Sequence, residues 1–492
     1  MVLSRLPFPS LRQMAMLKIA ITVCNDPDIR DFLKEHGSVS FVFPTKETQV
    51  FLEKAGRQFE QNSELDPEKT WAWKDYFFDG RPADYGDYMY GNIENFDECE
   101  MREAVLPFGR WEELVNKKAS LFLLPPLLRS ELLDVIRSIA AEIDKWIKDH
   151  FLILGNSSVK GQHAHYYFQW NSIGKIDRVK TAGALIMNAR LHINEICILA
   201  FYYGLVDLIF WSQNRHLSFG EFPERHLGLT GWGRCPKAVW KSLTGENDLN
   251  YISQRIFFTN STNEQKVKCL NNVMFTEFMQ YGDFLNCLSQ MGDDKKEFFL
   301  KKHPLKILMY FLDWPLQSEF IEAAKRLLPY FTIFQYRYIL SLILYEKIML
   351  GRKDFNYISL LKEFWTISPS GLKQLVEKDS SIYKNIMYIL NYPSDEIFPN
   401  EQLFESYHDN VLSFGYMGMK YFLIRTKTFS NKHLRTIFKS LDPMTLVPHL
   451  HLTFGHIFFI CSVRRKPQEQ GLTSQIKLKV TDFISKFRSQ KQ

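Results

Sequence analysis

The chain has 492 residues, of which 46% are apolar, 15% aromatic and 24% charged. That balance excludes a disordered polyelectrolyte and leaves ample side-chain volume for a large core. The net charge of +6 is local, because residues 464–492 alone hold eight basic and two acidic side chains. The rest is close to neutral, so the isoelectric point is no argument for nucleic-acid binding, and none is expected.

Seven cysteines, Cys24, Cys99, Cys197, Cys235, Cys269, Cys287 and Cys461, are odd in number and form no CxxC pair. This argues against a disulfide framework and against a thiolate zinc site. The first apolar run is interrupted by Gln13 and Lys18, so no secretory signal is evident and the cytoplasm is the expected location. The sequons at Asn156 and Asn260 then carry no sugar, and no cofactor is expected.

From the N-terminus, Ser10 is placed to cap a helix starting at Leu11, and Asp26-Pro27 breaks it. A short amphipathic helix resumes from Asp28 to His36, with Ile29, Phe32 and Leu33 inward. Ser38 to Phe43 alternates apolar and polar and predicts a short strand. Pro44-Thr45 then opens a helix through about Gln61, with Val50, Phe51 and Ala55 inward. Glu60 to Glu103 is the compositional outlier, with thirteen acidic and four basic residues threaded by aromatics such as Trp71, Trp73 and Tyr76. It reads as a long surface loop, the alternative being a partner-binding segment anchored by those rings.

Trp111 to Leu124 is helical and stops at Pro125-Pro126. Leu127 to Leu154 predicts a long helix, with Leu128, Leu132, Val135, Ile136, Ile139, Ile143 and Ile147 facing the core. The stretch from Arg178 to His216 predicts two buried helices. In the second, Ile193, Ile196, Cys197, Ala200, Phe201, Gly204, Leu205 and Leu208 share one face, and the opposite face is also largely apolar. His192, Asn194, Glu195 and Asp207 make this run a poor membrane span. Glu195 is either a catalytic carboxylate or, the commoner case, a paired residue in a helical core.

Leu217 to Pro236 is a Gly/Pro-rich loop. Its Gly228, Gly231 and Gly233 lack the order and context of a phosphate-binding loop, so it reads as a boundary. Beyond it, helices are expected at Val267–Met291, Leu305–Trp314, Leu316–Leu328, Phe331–Leu350, Asn356–Thr366, Pro369–Glu377, Ser381–Asn391, Gln402–Ile424, Asn431–Leu441 and Val447–Val463. Short helices punctuated by proline and glycine predict an all-α fold, an irregular α-solenoid of helical hairpins in one array or two helical domains. No fixed repeat period is present. The expected divisions are N-terminal helices at 1–58, the acidic aromatic loop at 59–104, a helical domain at 105–217, a linker at 218–263, a C-terminal helical array at 264–463 and a basic tail at 464–492.

The candidate sites are few. His163 and His165, and His449, His451 and His456, are metal ligands only if their segments are extended, because positions two apart on a helix face different ways. No nucleophile elbow or kinase signature is present, so no catalytic residue is assigned. The basic tail, with Ile476, Leu478, Val480, Phe483, Ile484 and Phe487 among its lysines, is either a membrane-surface or nucleic-acid element or, more simply, a terminal helix with a solvated basic face.

The first helix carries the sharpest idea. Ser10-Leu11-x-x-x-Ala15-x-x-x-Ile19 resembles the elongin-binding box of SOCS-box ubiquitin-ligase adaptors, with Leu11, Ala15 and Ile19 as the partner-binding face. It departs from that box in having Ala15 where the family carries cysteine, and in lacking the downstream proline-rich cullin motif. A second resemblance covers about the first half of the chain. LHINEICILAFYYGL at 191–205, with PSLRQMAMLKIAI and NDPDIRDFLKEHG near the start, is similar to segments of a large family of uncharacterised arthropod α-helical proteins. That resemblance implies intracellular helical architecture and nothing catalytic. A non-catalytic protein-interaction scaffold is therefore the expected role, the alternatives being a ubiquitin-ligase adaptor and an enzyme of unrecognised class.

Overall fold

The computed structural model describes residues 8–36, 39–51, 107–154, 164–188, eight positions between 191 and 208, most of 258–406 and four strands within 411–464. Up to Ser406 the described chain is all-α, apart from one isolated bridge between Trp170 and Ile176.

Helix α1 (Leu11–Cys24) begins where the sequence places it. Ser10 Oγ accepts from Gln13 N–H, and the Gln13 side chain accepts from Ser10 N–H, a reciprocal capping box. After Asn25 and Asp26 the chain enters α2 (Pro27–His36), whose Ile29 is buried as expected. Residues 38–43 do not form the expected strand: Val39–Val42 is a short helix, α3. Phe41, Val42 and Phe43 are all buried, so the alternation has no solvent face to serve. The end of α3 is capped from a distance. Arg137 Nε donates to Phe41 O at 3.1 Å and Arg352 Nη2 donates to Val42 O at 2.9 Å. Residues 45–51 are helical, with Phe51 buried.

Helix α4 (Pro107–Ala119) passes through a single 3-10 turn, Ser120–Phe122, into α5 (Pro126–Leu154). This last is the 29-residue spine of the N-terminal layer and packs on α1, α3 and α4. Leu132, Val135, Ile136 and Ile139 are buried at helical spacing, and Leu128 and Ile143 pack at the core's edge. Ile147 is exposed instead, and its neighbour Trp146 takes the buried position. α6 (Arg178–Asn188) begins the stretch expected to hold two buried helices. In the second, Glu195, Ile196, Leu199, Ala200 and Tyr203 are helical and buried. Ile193, Cys197, Phe201 and Gly204 lie outside the described residues.

The C-terminal helices are α7 (Asn263–Met274), α8 (Tyr281–Ser289), α9 (Asp293–Lys302), α10 (Pro304–Met309), α11 (Phe320–Leu327), α12 (Ile333–Ser341), α13 (Tyr357–Ile367), α14 (Ser370–Glu377), α15 (Ser380–Asn391) and α16 (Glu401–Ser406). The expected single helix at Val267–Met291 is thus two, α7 and α8. The apolar run at Phe331–Leu350 starts late and then widens. Thr332 caps α12 with Gln335, and residues Leu342–Met349 wind as a π-helix that ends at Gly351. Buried side chains from Met16 to Phe404 form one continuous core. Cys24, Cys269 and Cys287 are buried within it and are not in disulfides, and no helix among the described residues is long and apolar enough to cross a membrane.

Two of the helices expected near the end are replaced by strands. Gln402–Ile424 divides into α16, β1 (Val411–Tyr416) and β2 (Met419–Thr426), and Val447–Val463 divides into β3 (Thr445–Thr453) and β4 (His456–Arg464). The four make an antiparallel sheet in the order β1-β2-β4-β3, in which Phe422 pairs with Cys461 and Leu450 with Phe459. The runs FLI and HIFFICSV are rich in β-branched and aromatic residues, which fit a pleated surface at least as well as a helix. Asn431–Leu441, the Gly/Pro-rich loop, the acidic aromatic segment beyond residue 51 and the basic tail beyond Arg464 lie outside the described residues.

Candidate functional site

The three partner-binding residues expected on α1 are placed unequally. Leu11 is 84% exposed, Met14 beside it is 50% exposed, and Ala15 is also at the surface. Ile19 is half-buried and packs against the core. The opposite face of α1, Met16, Leu17, Ala20, Val23 and Cys24, is sealed against the protein. The helix cannot rotate to bury Leu11 without exposing that face. It is also pinned at its first turn, where Arg12 pairs with Glu131 of α5 and Gln13 Nε2 donates to Pro315 O at 3.5 Å. The outcome is a capped helix end that holds Leu11, Met14 and Ala15 in water. Four further residues of the α4–α5 turn, Leu121, Phe122, Leu123 and Leu127, are exposed apolar side chains that sequence periodicity had not singled out.

Two buried polar clusters lie deeper. In the first, Asp134 Oδ1 accepts from Arg137 Nη1 at 3.1 Å and from Arg352 Nη1 at 3.2 Å, and Asp134 Oδ2 accepts from Lys353 N–H at 2.7 Å. Arg137 also pairs with Glu112, which accepts from Thr45 N–H at 2.7 Å, and lies over the Trp111 ring. Next to it Asp354 accepts from Gln317 Nε2 at 2.8 Å and from Tyr357 Oη at 3.1 Å. Burial, and then the Asp134 charge, push the Asp354 carboxyl up to about 6. Asp134 joins the N-terminal helix α5 to Arg352 and Lys353, and Arg137 and Arg352 cap backbone carbonyls of α3, which is the work of a structural staple.

In the second cluster His150 is buried and engaged at both ring nitrogens. One, Nδ1, lies 2.7 Å from Trp146 O and donates to it, so Nε2 accepts from the Tyr203 hydroxyl. Burial, with Arg178 close by, pushes His150 down to about 3, so the ring is neutral. It stacks on Trp146 at 3.8 Å. Glu142 accepts from Ile176 N–H at 3.1 Å and Gln280 Nε2 at 2.9 Å. Half-buried Lys145 is pushed down to about 7 by desolvation and by Arg178, against the pull of Glu142. Glu195, weighed earlier as a catalytic carboxylate, is a buried residue of the neighbouring helix.

The histidine pairs are only partly placed. His165 is buried against Arg30, and His163 lies outside the described residues. The premise that separated His449 and His451 on helix faces does not hold, because both lie in β3. Among the described residues no three His, Cys, Asp or Glu side chains group as metal ligands.

Comparison with known proteins returns no relative. No family model, curated protein or solved structure matches the chain. The geometry offers an apolar face on a fixed helix end, above two buried polar clusters centred on Asp134 and His150.

Proposed function

We propose that the chain is a cytoplasmic, non-catalytic helical scaffold that binds protein partners, and that the outer face of α1 is one of its docking surfaces. The carrying observation is Leu11, 84% exposed on a helix whose other face is fully committed to the core. An amphipathic helix that keeps a second apolar stripe in water does so at a solvation cost, and insertion of that stripe into a partner's groove recovers it. The 29-residue helix α5 behind α1 gives it a rigid mount. The resemblance of residues 9–21, 25–37 and 191–205 to the arthropod helical family points to the same helical architecture.

The adaptor reading draws on one specific observation. Leu11 and Ala15 sit one turn apart on the exposed face, as an elongin-binding box requires, whereas Ile19 is already packed inward. Two of the three contact residues are thus offered to a partner. Pull-down of purified elongin subunits by the full chain tests it. Recovery with wild type and loss with Leu11→Asp supports the adaptor; equal background recovery from both removes it and leaves the scaffold reading to other partners.

A further inference from the structure

The α4–α5 turn presents more apolar surface to water than any packing role explains. Leu121 is 76% exposed, Leu123 91% and Leu127 84%, with Phe122 also at the surface. The prolines Pro125 and Pro126 between them are exposed as well. A floppy loop would hide these side chains, but this turn is held. Leu123 N–H donates to Ser120 O at 3.2 Å, Ser120 Oγ to Lys117 O at 2.7 Å, and Arg129 Nε to Leu124 O at 2.9 Å. Leu123 itself sits at φ 50°, a left-handed conformation that a side-chain-bearing residue rarely adopts. A strained, hydrogen-bonded turn that points leucines outward is typical of a functional surface.

The shape and charge select the partner. The apolar residues sit at the turn between two helices, where Leu121, Leu123 and Leu127 are 76%, 91% and 84% exposed and so stand out into water. Its immediate flanks are the exposed cations Lys117 and Arg129. The nearby acids are already engaged: Glu113 with Arg110, Asp26 and Asp28 with Lys118, and Glu131 with Arg12. A projecting apolar tip with cations at its base matches the interface of an anionic bilayer, where leucine and phenylalanine enter the acyl boundary and the cations meet the headgroups.

We infer that the turn formed by residues 120–129 is a membrane-surface anchor, inserting Leu121, Phe122, Leu123 and Leu127 into an anionic lipid leaflet with Lys117 and Arg129 against its headgroups. This surface goes beyond the protein docking assigned to α1 and acts without any membrane-spanning helix.

Vesicle co-sedimentation of the full chain tests the inference, using phosphatidylserine in phosphatidylcholine against phosphatidylcholine alone. The wild type binds the anionic vesicles, binds the neutral ones less, and is released by added salt. Leu123→Gly is the decisive variant, because glycine adopts the turn's φ freely and the fold is kept, as an unchanged thermal melt verifies. Together with Leu121→Ser it weakens binding by about tenfold, since two inserting side chains are lost. Three results overturn the inference. One is wild-type protein that stays in the supernatant with both vesicles. Another is a double variant that binds as well as wild type, which moves the contact elsewhere, to the basic tail first. The third is an absence of vesicle binding together with a dimer that the double variant dissolves, which makes the turn a contact between copies of the chain.

Discussion

Asp134 and Arg352 lie 218 positions apart in sequence and share a buried ion pair, Oδ1 to Nη1 at 3.2 Å. Arg137 joins the same oxygen from the next turn of α5, so one carboxylate serves two buried guanidinium groups. The pair ties the spine helix α5 to the turn that follows the π-helix, and through Arg352 it also caps α3. Removing the carboxylate therefore takes a shared acid away from two buried guanidinium groups in a low-dielectric site. Asp134→Ala is expected to cost about 3–5 kcal/mol, measured by urea unfolding. A loss below about 1 kcal/mol would mean the staple is solvated and secondary.

Asp354 gives the cluster a pH signature. Its folded carboxyl is raised to about 6 from the ordinary 3.8, so the native state takes up the proton more readily than the unfolded chain. Its stabilising contribution is then fully present below pH 3.8 and is lost as pH rises through about 6. Asp354→Asn imitates the protonated form. It is expected to raise the urea midpoint at neutral pH and to flatten the slope of stability between those two values, as read from midpoints across a pH series.

His150 acts with the opposite sign. Its folded value is pushed down to about 3 from 6.5, so the unfolded chain binds the proton more readily. Stability from this group is present above pH 6.5 and is lost as pH falls toward about 3. Tyr203→Phe leaves Nε2 buried without its donor, at a cost of about 1–3 kcal/mol near neutral pH. Thermal melts of the variant at neutral and mildly acidic pH separate this lost hydrogen bond from the titration itself.

Gly351 follows the π-helix at φ 62°, and a methyl group there would collide with the half-buried Glu47 carboxylate. Gly351→Ala is expected to cost about 1–2 kcal/mol from the left-handed backbone alone, seen as a lowered melting temperature. An unchanged melt would show that the turn relaxes freely.

Much of the helical order was legible because periodicity and punctuation agreed. Ser10, Pro126 and Gly351 bound their helices, and the Leu132–Val135–Ile136–Ile139 stripe faces the core. The failures have physical causes. SVSFVF alternates like a strand but is buried at consecutive positions, its end capped by arginines that sequence cannot place nearby. HIFFICSVR carries residues that pack in either element, and the choice of strand depends on partners arranged as β1-β2-β4-β3. On α1 the spacing identified Leu11 and Ala15, but a stripe four residues apart runs obliquely around the helix, and Ile19 falls at the edge of the core. The exposure of Leu121, Phe122, Leu123 and Leu127 had no sequence signature, because apolar residues on either side of two prolines look the same buried or bare.

A docking role for the outer face of α1 requires that Leu11 meet a protein partner. A photo-crosslinking residue placed at position 11 of the full chain, irradiated in native extract, measures that contact. The expected result is a discrete heteromeric adduct that disappears when Ala15→Asp is added, with the melting temperature unchanged. An adduct indifferent to Ala15→Asp, or irradiation that yields no heteromeric product, would contradict it.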